Sequence, residues 1–141
     1  MKNYFTKLNL ILLFLIGGFN LSNAQISEPE VKTALSNIFD LSVNEDYNKA
    51  ANFLLFEKVN EKRSYNASVN DELKSVKRQC KKIKAYIDLS DSYEYNGFKT
   101  TNIEGLNGAI LNVVFKSGDQ KLNISFTFVN VSGKILLENF K

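Results

Sequence analysis

Histidine and tryptophan are absent from the 141 residues, and cysteine, proline and methionine each occur once. Without histidine, the commonest general base and any imidazole-bound metal site are excluded. A single cysteine, Cys80, cannot close an intramolecular disulfide, so packing alone must hold the fold. No CxxC pair, phosphate-cradling glycine loop or EF-hand spacing occurs. No metal or cofactor is therefore expected.

What the chain does have begins at its N-terminus. Lys2 and Lys7 form a short basic head, Leu8 to Ile16 is an apolar run broken only by Asn9, and Gly17-Gly18 ends it. Ser22 and Ala24 are the small residues that a signal peptidase requires, so residues 1–24 read as a signal peptide cut between Ala24 and Gln25. The apolar run is shorter than the roughly 20 residues needed to span a bilayer, so no stable membrane anchor is expected after cleavage. The expected localisation is periplasmic or secreted. Removing Lys2 and Lys7 lowers the net charge from +3 to +1, which is not the balance of a nucleic-acid binder. Residues 25–141 suffice for a single domain.

That domain opens on a helix. Ser27-Glu28-Pro29-Glu30 supplies a capping box with proline in the first turn, and Val31, Ala34, Leu35, Ile38 and Phe39 form one apolar stripe over Pro29–Leu41. A shorter helix is expected over Glu45 to Leu54, with Tyr47, Ala50, Ala51 and Leu54 on one face. Glu57 to Tyr65 is charged and without period, and reads as a loop. The third helix, Asn70 to Ile87, buries Leu73, Val76, Cys80, Ile83 and Ile87. Lys74, Lys77, Arg78, Lys81, Lys82 and Lys84 crowd its flank. They are read as a solvated face, because no Trp or Phe borders them as in interfacial helices. Cys80, on the apolar seam, reads as a small buried residue with an inert thiol.

Strands follow. Tyr93 and Tyr95 share a face, and Asn96-Gly97 marks a bulge or turn. The C-terminal third reads as a three-stranded antiparallel meander: Ala109–Lys116, Lys121–Phe128 and Lys134–Lys141, joined at Ser117–Gln120 and at Val131-Ser132-Gly133. Leu122, Ile124, Phe126 and Phe128 must share one face and are expected to turn towards the helices. Ile110, Val114 and Val129 then point outward, where a homodimer through the sheet is expected to form. Helices first and antiparallel strands after them give an α+β class, with three N-terminal helices packed on a sheet of about four strands.

The element order resembles the nuclear transport factor two-like superfamily, of cystatin-like cone shape. The residues that carry the likeness are the acidic-aromatic opening Glu45-Asp46-Tyr47-Asn48-Lys49-Ala50-Ala51, the long third helix and the closing phrase Gly133-Lys134-Ile135-Leu136-Leu137-Glu138-Asn139-Phe140. More narrowly, the chain is similar to small exported bacterial members of unknown function. The last strand of such domains often carries tryptophan where Ile135 stands here. The resemblance implies a strongly curved sheet wrapped round the helices, an open cone mouth able to hold an apolar ligand, and pairing into dimers. In a bacterial setting the glycosylation triplets at Asn66, Asn123 and Asn130 are incidental.

Two functions follow as expectations. The first is a non-catalytic binding module or scaffold of the bacterial envelope, taking a small apolar ligand, a peptide or a partner protein. Its pocket would be lined by Phe39, Tyr47, Phe53, Tyr86, Phe126 and Phe128. The alternative is an isomerase- or hydrolase-type enzyme using an Asp/Tyr pair, of which Asp88 and Asp91 near Tyr86 and Tyr93 are the candidates. The other carboxylates, Glu28, Glu30, Glu45, Asp46, Asp71, Glu72, Glu104 and Asp119, fall at helix starts or turns, where dipole and solvent account for them. N-terminal sequencing of the secreted protein is expected to begin at Gln25, and a product that begins at Met1 would refute the leader.

Overall fold

The computed structural model describes residues 25–141; the leader lies outside them. Helix α1 spans Glu28–Val43, α2 Tyr47–Ala50 with a 3-10 turn over Ala51–Phe53, and α3 Asn70–Asp88. Strands β3 (Ser92–Ile103), β4 (Leu106–Ser117), β5 (Gln120–Val131) and β6 (Lys134–Phe140) form one antiparallel sheet in chain order. The helices pack on this curved sheet, as expected. A separate ribbon of two strands, β1 (Leu55–Lys58) and β2 (Glu61–Ser64), lies between α2 and α3 in the chain.

The start of α1 is made by its own residues. The backbone N–H and hydroxyl of Ser27 both donate to the Glu30 carboxylate, at 2.9 and 2.6 Å. The helix then runs to Val43, two residues beyond the expected end, because Asn44 caps it by donating its backbone N–H to the Asp40 carbonyl at 3.0 Å. The second helix is shorter than its apolar spacing suggests. Glu45 takes a left-handed backbone (φ 58°) and closes the α1 connection, leaving Asp46 to cap α2 by accepting from the Lys49 N–H at 3.2 Å.

The sheet is assembled from hairpins of one design. In the β3–β4 turn Glu104 and Gly105 both have positive φ, and in the β5–β6 turn Ser132 and Gly133 do the same. Two consecutive left-handed residues match the strand twist, and glycine carries the second at no steric cost. Asn102 and Asn130 each accept from the glycine N–H at 2.9 Å. The β5–β6 loop is thus two residues, not three, since Val131 still pairs with Lys134. The Asn96-Gly97 signal is a bulge, where the β3–β4 register shifts between Tyr95 and Phe98.

Inside the hollow of the sheet, Phe39 from α1 meets Tyr93, Phe115 and Phe126 at ring-centre distances of 5.2, 6.0 and 5.6 Å. Val31, Leu35 and Ile38 of α1, and Val76, Cys80 and Ile83 of α3, are fully buried beside it. Ile124, Phe126 and Phe128 face this core. Leu122 does not join it: although it pairs with Phe115 in the expected alternation, it sits near the β4–β5 turn, past the reach of the helices, and is 45% exposed.

Two further expectations are corrected. Glu57 to Tyr65 is a hairpin, not a loop, with Asn60 left-handed at its tip (φ 64°). Its alternation is unreadable because a ribbon that is polar on both faces has no apolar period. Secondly, Val129 and Val114 do not point to solvent. Val129 is buried with Leu136 and Leu55 under Ile103, Leu106 and Val131 on the outer face of the sheet, and Val114 is 4% exposed. Only the half-buried Ile110 of the three residues named for a dimer contact keeps an outward surface.

Gly108 belongs to that outer cluster by its lack of a side chain. A Cβ there would stand 2.8 Å from Ile103 Cδ1 and 3.0 Å from the Phe128 carbonyl oxygen. Gly108→Ala is expected to cost about 1–3 kcal/mol, as overpacking does, read as a lower urea midpoint at unchanged slope. An unchanged midpoint would show that Ile103 yields freely.

Candidate functional site

The six aromatic residues expected to line one pocket are not brought together as a cavity wall. Phe39, Phe126 and Phe128 are buried core. Tyr86 is half-buried, with its ring against Phe115 and Phe140 at 5.7 and 6.2 Å. Tyr47 is half-buried over the helices, and its hydroxyl is buried without a partner among the described residues. Burial, and then the nearby Glu45 carboxylate, raise the Tyr47 pKa. Of the six, only Phe53 borders the groove that the fold leaves at its rim.

That groove, of about 520 Å³, is formed by three elements. Pro29, Glu30, Thr33, Ala34 and Asn37 come from the first half of α1, Asn52 and Phe53 from the 3-10 turn, and Gly133, Lys134 and Ile135 from the start of β6. Its volume falls within the range of about 300–1,000 Å³ of ligand sites. The floor is apolar (Ala34, Phe53, Ile135) and the rim carries two amides and two opposite charges. The Glu30 carboxylate is already held by Ser27, and those hydrogen bonds lower its pKa.

One wall is a sheet edge. In a two-residue hairpin the pair next to the turn, Val131 and Lys134, exchanges its hydrogen bonds, so the following residue, Ile135, turns its N–H and C=O away from β5. Two residues further on, Leu137 faces the same way and is met by a parallel bridge to Leu54. No such bridge forms at Ile135. A short length of edge backbone therefore stands open beside an apolar floor. The sequence marked this position through the isoleucine found where similar domains often carry tryptophan; the smaller side chain leaves the space that forms the groove. Ala34 and Thr33 carried no comparable signal, since a small residue in an apolar stripe reads as ordinary helix packing.

The acid-base alternative finds little geometry. Asp88 is exposed and paired with Lys84 at 3.0 Å. Asp91 accepts from the Gly118 N–H at 2.9 Å, so it serves the β4–β5 turn. Among the described residues one carboxylate is buried, Glu72 of α3. Both of its oxygens accept from the Arg63 guanidinium at 2.9 Å, and one also accepts from the Asn66 N–H at 2.6 Å. The Arg63 hydrogen bonds hold its pKa down to about 2, with burial opposing. A carboxylate held ionised in this way is a weak proton acceptor. Its work is mechanical: Arg63 also lies 4.0 Å over the Phe56 ring, so the hairpin is fastened to the first turn of α3.

A depressed carboxylate pKa gives stability that is full above the unfolded value of 4.5 and is lost as pH falls towards 2. Thermal melts of the wild type and Glu72→Gln should accordingly differ at pH 7 and converge as the pH falls through that window. Curves that stay equally far apart at pH 2 would show that Glu72 contributes by packing alone.

No protein-family model matches the chain. No curated protein matches it either. Among solved structures, it is similar to the de novo designed NTF2 fold protein NT-9, at 13% identity and a TM-score of 0.51, covering 82% of this chain and 87% of that one. A second designed chain, Rd1NTF2_05 with point substitutions, matches at 13% identity and a TM-score of 0.45, covering 79% of this chain and 94% of that one.

Proposed function

From the NTF2-like fold and its rim groove, we propose that the protein is an exported, non-catalytic binding module of the bacterial envelope, and that its ligand is an extended peptide or a segment of a partner protein. The observation that carries this reading is the conjunction at Ile135: an edge N–H and C=O turned away from β5, set beside an apolar floor of Ala34, Phe53 and Ile135. A purely apolar small molecule would use the floor and leave the backbone groups to water. A peptide backbone uses both, adding a short strand to β6 while alternate side chains enter the groove. Asn37, Asn52 and Lys134 on the rim supply donors and acceptors for polar side chains of the ligand.

The cone mouth itself is not the proposed site, because Phe39, Phe115 and Phe126 occupy it. Export rests on the leader pattern of residues 1–24.

Selection from a displayed library of short random peptides is the test. Peptides enriched on the wild type should bind in the micromolar range. They should lose at least tenfold in affinity to Thr33→Trp or Ile135→Trp, which fill the groove, and to single backbone N-methylation at one peptide position. If enrichment is equal on the filled variants, the groove is not the site. If affinity survives N-methylation at every position, the strand-addition mode is wrong.

A further inference from the structure

A second surface, remote in chemistry from the groove, runs along the outer face of α3. The ion pairs of that helix are confined to its ends, Lys74 with Asp71 and Lys84 with Asp88. Between them Lys77, Arg78, Lys81 and Lys82 are all exposed and have no acidic partner among the described residues. Residues 25–141 carry a net charge of +1, so without these four cations the remainder is net negative and the positive charge is concentrated on one face.

The row leads into exposed apolar surface. Arg78, Lys82, Ala85 and Leu89 recur at i, i+4, i+7 and i+11 and so follow one stripe of the helix, which Leu89 extends in helical geometry as its C-cap residue. Leu89 is 76% exposed. Across a hollow of about 310 Å³ it faces Leu122, the residue that the core leaves out, with Lys121 beside it. The sequence alone shows the cations; that their stripe runs on to Leu89 and Leu122 is visible only in three dimensions.

We propose that this face docks on an anionic phospholipid surface. Exposed lysine and arginine supply the attraction to lipid phosphates, each contributing in proportion to its closeness to the surface. Leu89 and Leu122 enter the boundary between headgroups and acyl chains. Ala85, small and exposed between Lys82 and Leu89, lets the helix lie close. The charge pattern selects an anionic surface, and the two leucines select a lipid over a soluble polyanion, which offers no apolar phase to receive them. The binding is peripheral and reversible, and it leaves the Ile135 groove free.

Co-sedimentation of the purified protein with vesicles is the test, using equal phosphatidylglycerol and phosphatidylcholine against phosphatidylcholine alone at about 0.1 M salt. The protein should pellet with the anionic vesicles and remain in solution with the neutral ones. Lys81→Gln with Lys82→Gln should lower partitioning roughly 25-fold, at roughly fivefold per cation. Leu89→Ser should remove the part that resists added salt. These positions are exposed, so circular dichroism should be unchanged; should the lysine pair fail to fold, Arg78→Gln with Lys81→Gln makes the same comparison. Any contribution of residues 1–24 is common to all variants and cancels between them. Three results would overturn the proposal: no pelleting with anionic vesicles, equal partitioning of the glutamine variants and wild type, or tighter binding to a DNA duplex than to the vesicles.

Discussion

The wedge of Phe39 between Tyr93, Phe115 and Phe126 is the contact on which the rest depends. The chain has neither disulfide nor metal ligands of the imidazole kind, so α1 is held in the sheet by packing alone. Phe39 reaches the sheet because the capping box starts α1 in a register that places Val31, Leu35, Ile38 and Phe39 on one side. The sheet receives it because β4 and β5 present phenylalanine on the same pleat. Filling the hollow in this way stabilises the domain and at the same time closes the cone mouth. Space for a ligand is thereby displaced to the rim, where α1 and β6 diverge and small side chains leave the groove open.

The outer face of the sheet is protected by a different device. A four-stranded sheet packed on helices has one covered face and one wet face, and apolar residues on the wet face invite association. Here β1 begins beside β6, placing Leu55 over Val129 and Leu136. Ile103 folds back over the bare backbone of Gly108. Arg63 and Glu72 fasten the far end of the ribbon to α3, and Lys62 reaches both Glu57 and Glu104, tying it to the β3–β4 turn. The ribbon, polar on its surface, is what allows Val129 to be valine without becoming a contact surface.

Much of this was legible in the sequence, and the parts that were not share a cause. The capping box at Ser27, the seam of α3 and the alternation of β5 are local patterns repeated several times over, and each fixes which face is buried. The β1–β2 ribbon has no repeated pattern; its reason to exist is a long-range ion pair and an aromatic contact that no window of sequence contains. Val114 and Val129 obey the alternation and do face outward, but what covers them comes from elsewhere in the chain. Leu122 obeys it too and falls beyond the helices. Period tells which side of a strand a residue is on. Burial depends on whether another element reaches that point.

The same distinction governs the candidate site. Aromatic residues are the conspicuous feature of the sequence, and their size makes them core first: Phe39, Phe126 and Phe128 are spent on packing before any ligand could use them. The positions left for recognition are those where the chain is smaller or more exposed than its pattern requires, Ala34 and Ile135 at the groove and Leu89 and Leu122 beside α3. Each is inconspicuous alone. Ile135 gains its meaning from the hairpin register that turns its backbone outward, and Leu89 from the row of cations on the same stripe. In a domain whose hollow is filled, recognition belongs to edges and outer faces, and there the geometry that brings ordinary residues together matters more than the identity of any one of them.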